Sequence, residues 1–207
     1  MMKKFLLYLG LGAMVTLSAC YPQGPQYVED MDVVMSNYDN QFSFGSKTTF
    51  WLPDKVANVT GEPNSGNIGY LNASYSKTIL DRIRQNMTSR GYTVTNDTNA
   101  ADLRIYPAVL SVDFTTYFDY WYGYWGYGDG YGWYYPPYYS SYTFTVGTLM
   151  MNMIDSKNAN PDGSHDMVWF GAINGLTGTS YATTMASRIN NGIDRAFTQS
   201  PYIKKTK

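Results

Sequence analysis

Two stretches of this chain place an apolar residue every three or four positions, and nearly everything patterned between them reads as strand. In the first, Tyr75, Ile79, Leu80, Ile83 and Met87 fall on one face, with Asn72 or Ser74 able to cap the start and Gly91 to end it. In the second, Met185, Ile189, Ile193 and Phe197 form the stripe, flanked by Ala182, Ala186 and Ala196, and Pro201 closes it. A helix with a single apolar stripe must bury it against something flat or grooved. Two such helices in a chain otherwise rich in strand signals predict a two-layer α+β sandwich: a mainly antiparallel sheet with both helices packed on one face.

The strand signals supply that sheet. Val28 to Met35 and Lys47 to Leu52 are rich in β-branched and aromatic residues, and Pro53 stops the second run. Residues 54–70 carry Gly, Asn and Pro and read as a loop. Tyr92 to Thr95 is a short strand. Asp102 to Asp113 is apolar on both phases, which predicts a largely covered strand, although Pro107 requires an edge or a bulge. Tyr142 to Ile154 changes apolar phase around Gly147, as a bulge would make it do. Asn160-Pro161-Asp162-Gly163 is a turn, and Met167 to Ile173 is the next strand. The expected order is β-β-α-β-β-insert-β-β-α.

Upstream of this domain the chain carries an address. Lys3 and Lys4 precede an apolar run from Phe5 to Leu17, followed by Ser18, Ala19 and Cys20. A charged start, an apolar middle too short to span a bilayer comfortably, and small residues before a cut are the parts of a signal peptide. Leu17-Ser18-Ala19-Cys20 resembles the bacterial lipobox, which implies cleavage after residue 19 and diacylation of Cys20. Residues 20–27, with two prolines and a glycine, read as a lipidated tether, and 28–203 as one domain. Tyr21 follows the cysteine, so the aspartate associated with inner-membrane retention is missing. The expected location is the outer membrane, facing the periplasm.

Composition narrows the function classes. The leader holds two of the 15 basic residues and none of the 16 acidic ones, so the mature balance of −3 disfavours nucleic acid as a partner. Cys20 is the only cysteine; acylating it leaves neither a disulfide nor a thiol nucleophile. Charged residues make up 15% of the chain, well below the usual ~25%. Aromatic residues take their place, and the excess is concentrated: between Tyr117 and Tyr142, fifteen of 26 residues are Tyr, Trp or Phe, mostly interspersed with Gly, Pro, Ser and Asp. Flat aromatic faces on a small-residue background suit contact with a protein or a glycan. Tyr120, Trp121, Tyr122, Tyr124, Trp125, Tyr127, Tyr131, Trp133, Tyr134 and Tyr135 are the candidate contact residues. Proximity to the membrane headgroups and a plain long connection are the competing readings.

Chemistry is harder to find. His165, the single histidine, lies between Ser164 and Asp166 and reads as a polar turn residue; no serine sits in a nucleophile-elbow context. Asp113, Asp119 and Asp129 bracket the aromatic tract without the spacing of a calcium loop. The glycines of 123–132 lack the lysine and the strand-to-helix setting of a phosphate loop. Trp169, Met150, Met151 and Met153 read as core. No cofactor or metal is expected. A non-enzymatic binding or assembly module is the leading expectation; an envelope hydrolase acting on a glycan or peptide, and a purely structural lipoprotein, are the alternatives.

The order of several short motifs resembles the lipoprotein domain known as domain of unknown function 4136. The motifs are Val28-Glu29-Asp30-Met31-Asp32, Phe42-Ser43-Phe44 followed by Thr48-Thr49-Phe50, Gly91-Tyr92, Ala101-Asp102-Leu103, Gly147-Thr148-Leu149 leading to Asp155, and Val168-Trp169-Phe170-Gly171 before the last helix. The resemblance implies the same fold and an envelope location, and it brings no catalytic residues. Phe170 stands where the family often has a basic residue, so no charge is required there.

Overall fold

The computed structural model describes residues 33–59, 69–110, 133–134, 147–161, 165–174 and 182–206, with 133–134 and 182–184 as backbone only. They form nine strands and two helices, with one 3-10 turn at Phe44–Ser46. The strands are β1 (Val34–Tyr38), β2 (Thr49–Trp51), β3 (Ala57–Val59), β4 (Gly69–Tyr70), β5 (Thr93–Val94), β6 (Leu103–Leu110), β7 (Trp133–Tyr134), β8 (Thr148–Ala159) and β9 (His165–Ile173). The helices are α1 (Ala73–Ser89) and α2 (Ala182–Thr198).

One sheet runs in the order β1-β9-β8-β6-β2-β5. Its middle is a long antiparallel block, in which β8 pairs β6 on one side and β9 on the other, and β1 extends it antiparallel to β9. Away from that block the pairing turns parallel: β2 and β3 both lie along β6, and β5 lies along β2. The architecture is the α+β sandwich expected from the two helical stripes, with a mixed and mostly antiparallel sheet.

Both helices cover the same face. Ile79, Leu80, Ile83 and Met87 of α1 and Ile189, Ile193, Ala196 and Phe197 of α2 meet Leu103, Ile105, Leu149, Met151, Met153, Trp169 and Ile173 from the sheet. The alternate residues of β6 and β8 (Tyr106, Ala108, Leu110, Met150, Asn152 and Ile154) lie on the opposite face and are equally buried. This is the covering on both faces that the two apolar phases of β6 predict.

Local rules explain how α1 begins and ends. The Asn72 side chain accepts a hydrogen bond from the Tyr75 amide at 3.0 Å, satisfying one of the unpaired donors of the first turn. After Ser89 the chain reverses through Gly91 at φ +94°, a left-handed conformation that costs glycine little.

Several expectations are corrected. β1 covers Val34–Tyr38 and runs past the expected end at Met35, because its register against Ile173–Trp169 carries Asn37 and Tyr38 into the ladder; residues 28–32 of the expected strand lie outside the described residues. Residues 54–70 contain two strands, β3 and β4, too short to show an alternating pattern. Gly147 sits in a turn at φ +86° before β8 begins, not in a bulge within it. A register shift does occur in the β8–β9 ladder, between Met153 and Ile154. Pro107 is neither in an edge strand nor at a bulge. It falls in the stretch of β6 between the β2 pairing at 103–104 and the β3 pairing at 108–110, where the outer side has no ladder to interrupt.

Candidate functional site

The polar residues of the described chain gather in three places, and their surroundings separate them. The first is the end of the sheet where β2, β6 and β9 start. The Asp155 carboxylate is buried there and receives both of its oxygens' bonds from Lys47 Nζ, at 2.9 and 3.0 Å, with Asn158 Nδ2 and the Lys157 amide adding to them. Lys47 lies above the ring of Phe42, 5.1 Å from its centre. Close by, Asp102 Oδ2 accepts from the amides of Thr48 and Thr49 at 2.8 and 3.0 Å. Burial acts to raise the Asp102 carboxyl, but those two amides outweigh it and hold the group below the ordinary carboxylate range. These bonds clamp the start of β2 onto the sheet. His165 belongs to the same end and is not the turn residue the sequence suggests. It opens β9, is buried, and its Nδ1 lies 2.7 Å from the backbone carbonyl of Asp155, to which it donates.

The second place is the seam between the helices. Arg82 bonds Asp194 through Nε at 2.6 Å and through a second nitrogen, and Asn86 Nδ2 adds a bond at 2.8 Å. Burial raises the Asp194 carboxyl, while Arg82 and Asn86 more than offset it and leave the group lowered. Arg90 stacks 5.0 Å from the Phe197 ring centre and donates to the Phe197 carbonyl at 2.7 Å. This is a helix-to-helix tie, partly exposed.

The third is open. A groove of about 620 Å³ runs between the β2–β3 connection, the N-terminal half of α1, and the strands β4 and β5. Leu52, Leu71 and Leu80 line its apolar part, and Lys55, Lys77, Asp81 and Arg84 are among its polar groups. Its size is that of an ordinary small-ligand or peptide cleft. Sequence reasoning missed it because its walls come from four segments, none with a motif.

The sequence-predicted site residues fare differently. Of the ten aromatic candidates, Trp133 and Tyr134 form β7, a backbone pairing alongside His165 and Asp166 of β9. Tyr120, Trp121, Tyr122, Tyr124, Trp125, Tyr127, Tyr131 and Tyr135 lie outside the described residues, as do Leu17, Ser18, Ala19 and Cys20, and Asp113, Asp119 and Asp129. Among the described residues, no group of three or more His, Cys, Asp or Glu is placed to hold a metal ion, and no helix is long and apolar enough to cross a membrane.

The short motifs of the sequence, by contrast, have clear tasks. Asp102 and Asp155 hold β2. Gly91 ends α1, and the Tyr92 hydroxyl donates to the Phe44 carbonyl at 3.0 Å from a buried position that pushes its pKa up to about 12. Trp169 packs on Phe197, its ring centre 5.3 Å away, and its Nε1 donates to Ser200 Oγ at 2.8 Å. Gly171 leaves the space this ring occupies: a Cβ there would come within 2.7 Å of it. A profile of the family described as domain of unknown function (DUF4136) matches residues 34–202, the whole of this framework. The chain belongs to the DUF4136 family. A DUF4136 protein from Bacteroides thetaiotaomicron has a similar crystal structure, with a TM-score of 0.71 and 28% identity over 84% of this chain and 98% of that one. The PelC dodecamer of Paraburkholderia phytofirmans is a more distant likeness, with a TM-score of 0.40 and 13% identity over 85% of this chain and 100% of that one. A comparison with curated proteins gives no match. The described DUF4136 motifs in this chain thus coincide with clamps, caps and packing contacts, and none of them lines the groove; Val28-Glu29-Asp30-Met31-Asp32 lies outside the described residues.

Proposed function

We propose that this DUF4136 protein is a lipid-anchored, non-enzymatic module of the bacterial cell envelope, held at the outer membrane through Cys20 and presenting a contact surface to a protein or a glycan. The observation that carries the reading is the placement of the chain's sole cysteine directly after Leu17-Ser18-Ala19 and an apolar leader. Each buried methylene of an acyl chain adds ~0.8 kcal/mol to membrane binding, so two or more chains give an anchor that does not exchange. Two further observations support a binding role. The described DUF4136 motif residues are occupied in holding the fold, and the half-buried Asp102 and the buried Asp155 are tied to backbone amides and to Lys47. The aromatic tract, meanwhile, supplies rigid contact area at low entropic cost.

Metabolic labelling with an alkyne fatty acid tests the anchor. Label on the wild type and its loss in Cys20→Ala is the expected result; equal labelling of both removes the anchor from the proposal. The contact surface is tested by recovering partners from detergent-solubilised envelopes with the intact protein and with a variant whose 117–142 segment is a Gly/Ser linker. A protein or glycan recovered only with the intact form is expected. Identical recoveries would leave the lipoprotein with a purely structural role.

A further inference from the structure

The groove coincides with a gap in the sheet's edge. Strand β6 carries two parallel strands end to end, β2 against 103–104 and β3 against 108–110. Outside these stand β5, paired with β2, and β4, paired with β3. The registers put Val94 level with Phe50 and Leu103, and Tyr70 level with Ala57 and Ala108. The last bridged residues of the outermost column, Val94 and Tyr70, stand five rungs apart along β6, roughly 16 Å at the usual strand rise, and the bonded residues Thr95 and Leu71 narrow the gap between them from either side.

The two ends of that gap are apolar and unusually exposed. Tyr70 is 46% and Val94 38% accessible, two of the three exposed large hydrophobic residues among the described residues. Among the described residues β5 is also a sheet edge. The amides of Thr93 and Thr95 donate inward, to the carbonyls of Thr48 and Phe50, so alternation turns the Val94 amide and carbonyl outward. An edge with outward backbone groups beside an apolar recess is a template for an added strand. The rim adds a sign. Lys55, Lys77 and Arg84 face Asp54 and Asp81 in the groove, and Asp81 is already bonded by both Lys77 and Arg84. The rim is left with surplus positive charge on a chain whose net charge is −1.

We propose that this notch accepts an extended segment of a partner protein, apolar at alternate positions and carrying carboxylates between them, added as a strand alongside β5. Main-chain bonds at Val94 would hold the segment, Leu52, Leu71 and Leu80 would receive its apolar side chains, and the cations of the rim would select its acidic ones. The surface is formed without residues 117–142, so it stands or falls separately from the aromatic tract.

The test uses the full-length protein in detergent micelles and a fluorescein-labelled acetyl-Val-Asp-Val-Glu-Val-Thr-amide peptide, followed by anisotropy and by hydrogen exchange. Saturable binding with a Kd below about 1 mM is expected, together with slowed exchange over 93–96. N-methylation of alternate peptide amides and exchange of its acids for lysine should each weaken binding about tenfold or more. Val94→Pro, which removes an outward donor, should do the same. Should that variant fail to fold, Lys77→Glu with Arg84→Glu, on exposed helix positions, should abolish the preference for the acidic peptide. Absence of saturable binding to the wild type overturns the proposal, as does binding indifferent to N-methylation or to peptide charge. Self-association protecting 93–96 without peptide would also overturn it, giving the edge to a second copy. The linker variant of 117–142 should bind the peptide unchanged.

Discussion

The closed end of the sheet and the open groove at its edge contain much the same chemistry, lysine, aspartate and aromatic rings, and put it to opposite uses. At the closed end Lys47 and Asp155 are 13% and 4% exposed, the Lys47 ammonium has Phe42 beneath it, and every named bond points back into the fold. In the groove Lys77 and Asp81 are 78% and 47% exposed, and the Lys55 ammonium lies 5.2 Å from the centre of a Tyr70 ring that is itself half in water. The first arrangement has nothing to offer a ligand without breaking itself. The second can exchange its partners at little cost, because exposed ion pairs contribute between nothing and ~1 kcal/mol. Residue type therefore says little about role in this molecule; burial decides it. The DUF4136 motifs sit on the buried side of that divide.

Substitutions should sharpen the contrast. Trp169→Ala removes a fully buried ring and one of the two donors to Ser200 Oγ, leaving it the Tyr202 hydroxyl, and chemical denaturation should show a loss of about 3 to 5 kcal/mol. Asp155→Ala leaves the Lys47 ammonium buried without its partner, and about 3 kcal/mol is expected by the same measurement. If Asp155→Ala cost no more than a surface change, the closed end would not be the clamp described. Gly171→Ala drives a methyl into the flat Trp169 ring and against Met151, for a loss of about 1 to 3 kcal/mol. Tyr70→Ser and Val94→Ser should stay within about 0.5 kcal/mol of the wild type, since both residues are exposed rather than packed in the core. A large destabilisation from either would mean that the groove is structural, and the contrast would collapse.

Titration separates the buried groups from one another. Tyr92 has a folded pKa raised to about 12, above an unfolded value near 10. Its neutral form therefore stabilises the fold fully below about pH 10, and that contribution is lost as pH rises from 10 through 12. Tyr92→Phe should flatten this alkaline loss in denaturation curves. Asp102 works in the other direction. Its lowered pKa adds stability above the unfolded value near 4, and the addition disappears as pH falls through the folded value. Asp102→Asn should be less acid-sensitive than the wild type while being less stable at neutral pH.

Periodicity made the helices legible, because each stripe is long enough to outvote its exceptions: α1 and α2 run where Ile79 to Met87 and Met185 to Phe197 place them. Asn72 and Gly91 were legible for the same local reasons that make them work. The short parallel additions were not. β3 and β4 span three and two residues, and their pairing depends on the neighbouring length of β6 rather than on any pattern of their own. His165 was misread because its neighbours, Ser164 and Asp166, look like turn residues, while the β8–β9 ladder extends far enough to include it. The groove was invisible for a different reason. It is defined by what four segments leave unfilled, and no stretch of sequence records a gap.

The segment after α2 is woven into the far side of the domain. Ile203 is buried, the Lys205 amide donates to the Arg90 carbonyl, the Thr206 amide and hydroxyl donate to the Gly45 carbonyl, and Tyr202 stacks 3.6 Å from the ring centre of Tyr38. Residues separated by some 160 positions are thereby joined last. A nascent chain emerging in order cannot complete its core until that stitch is in place, so the strands and α1 wait on a segment made 161 residues after Gly45.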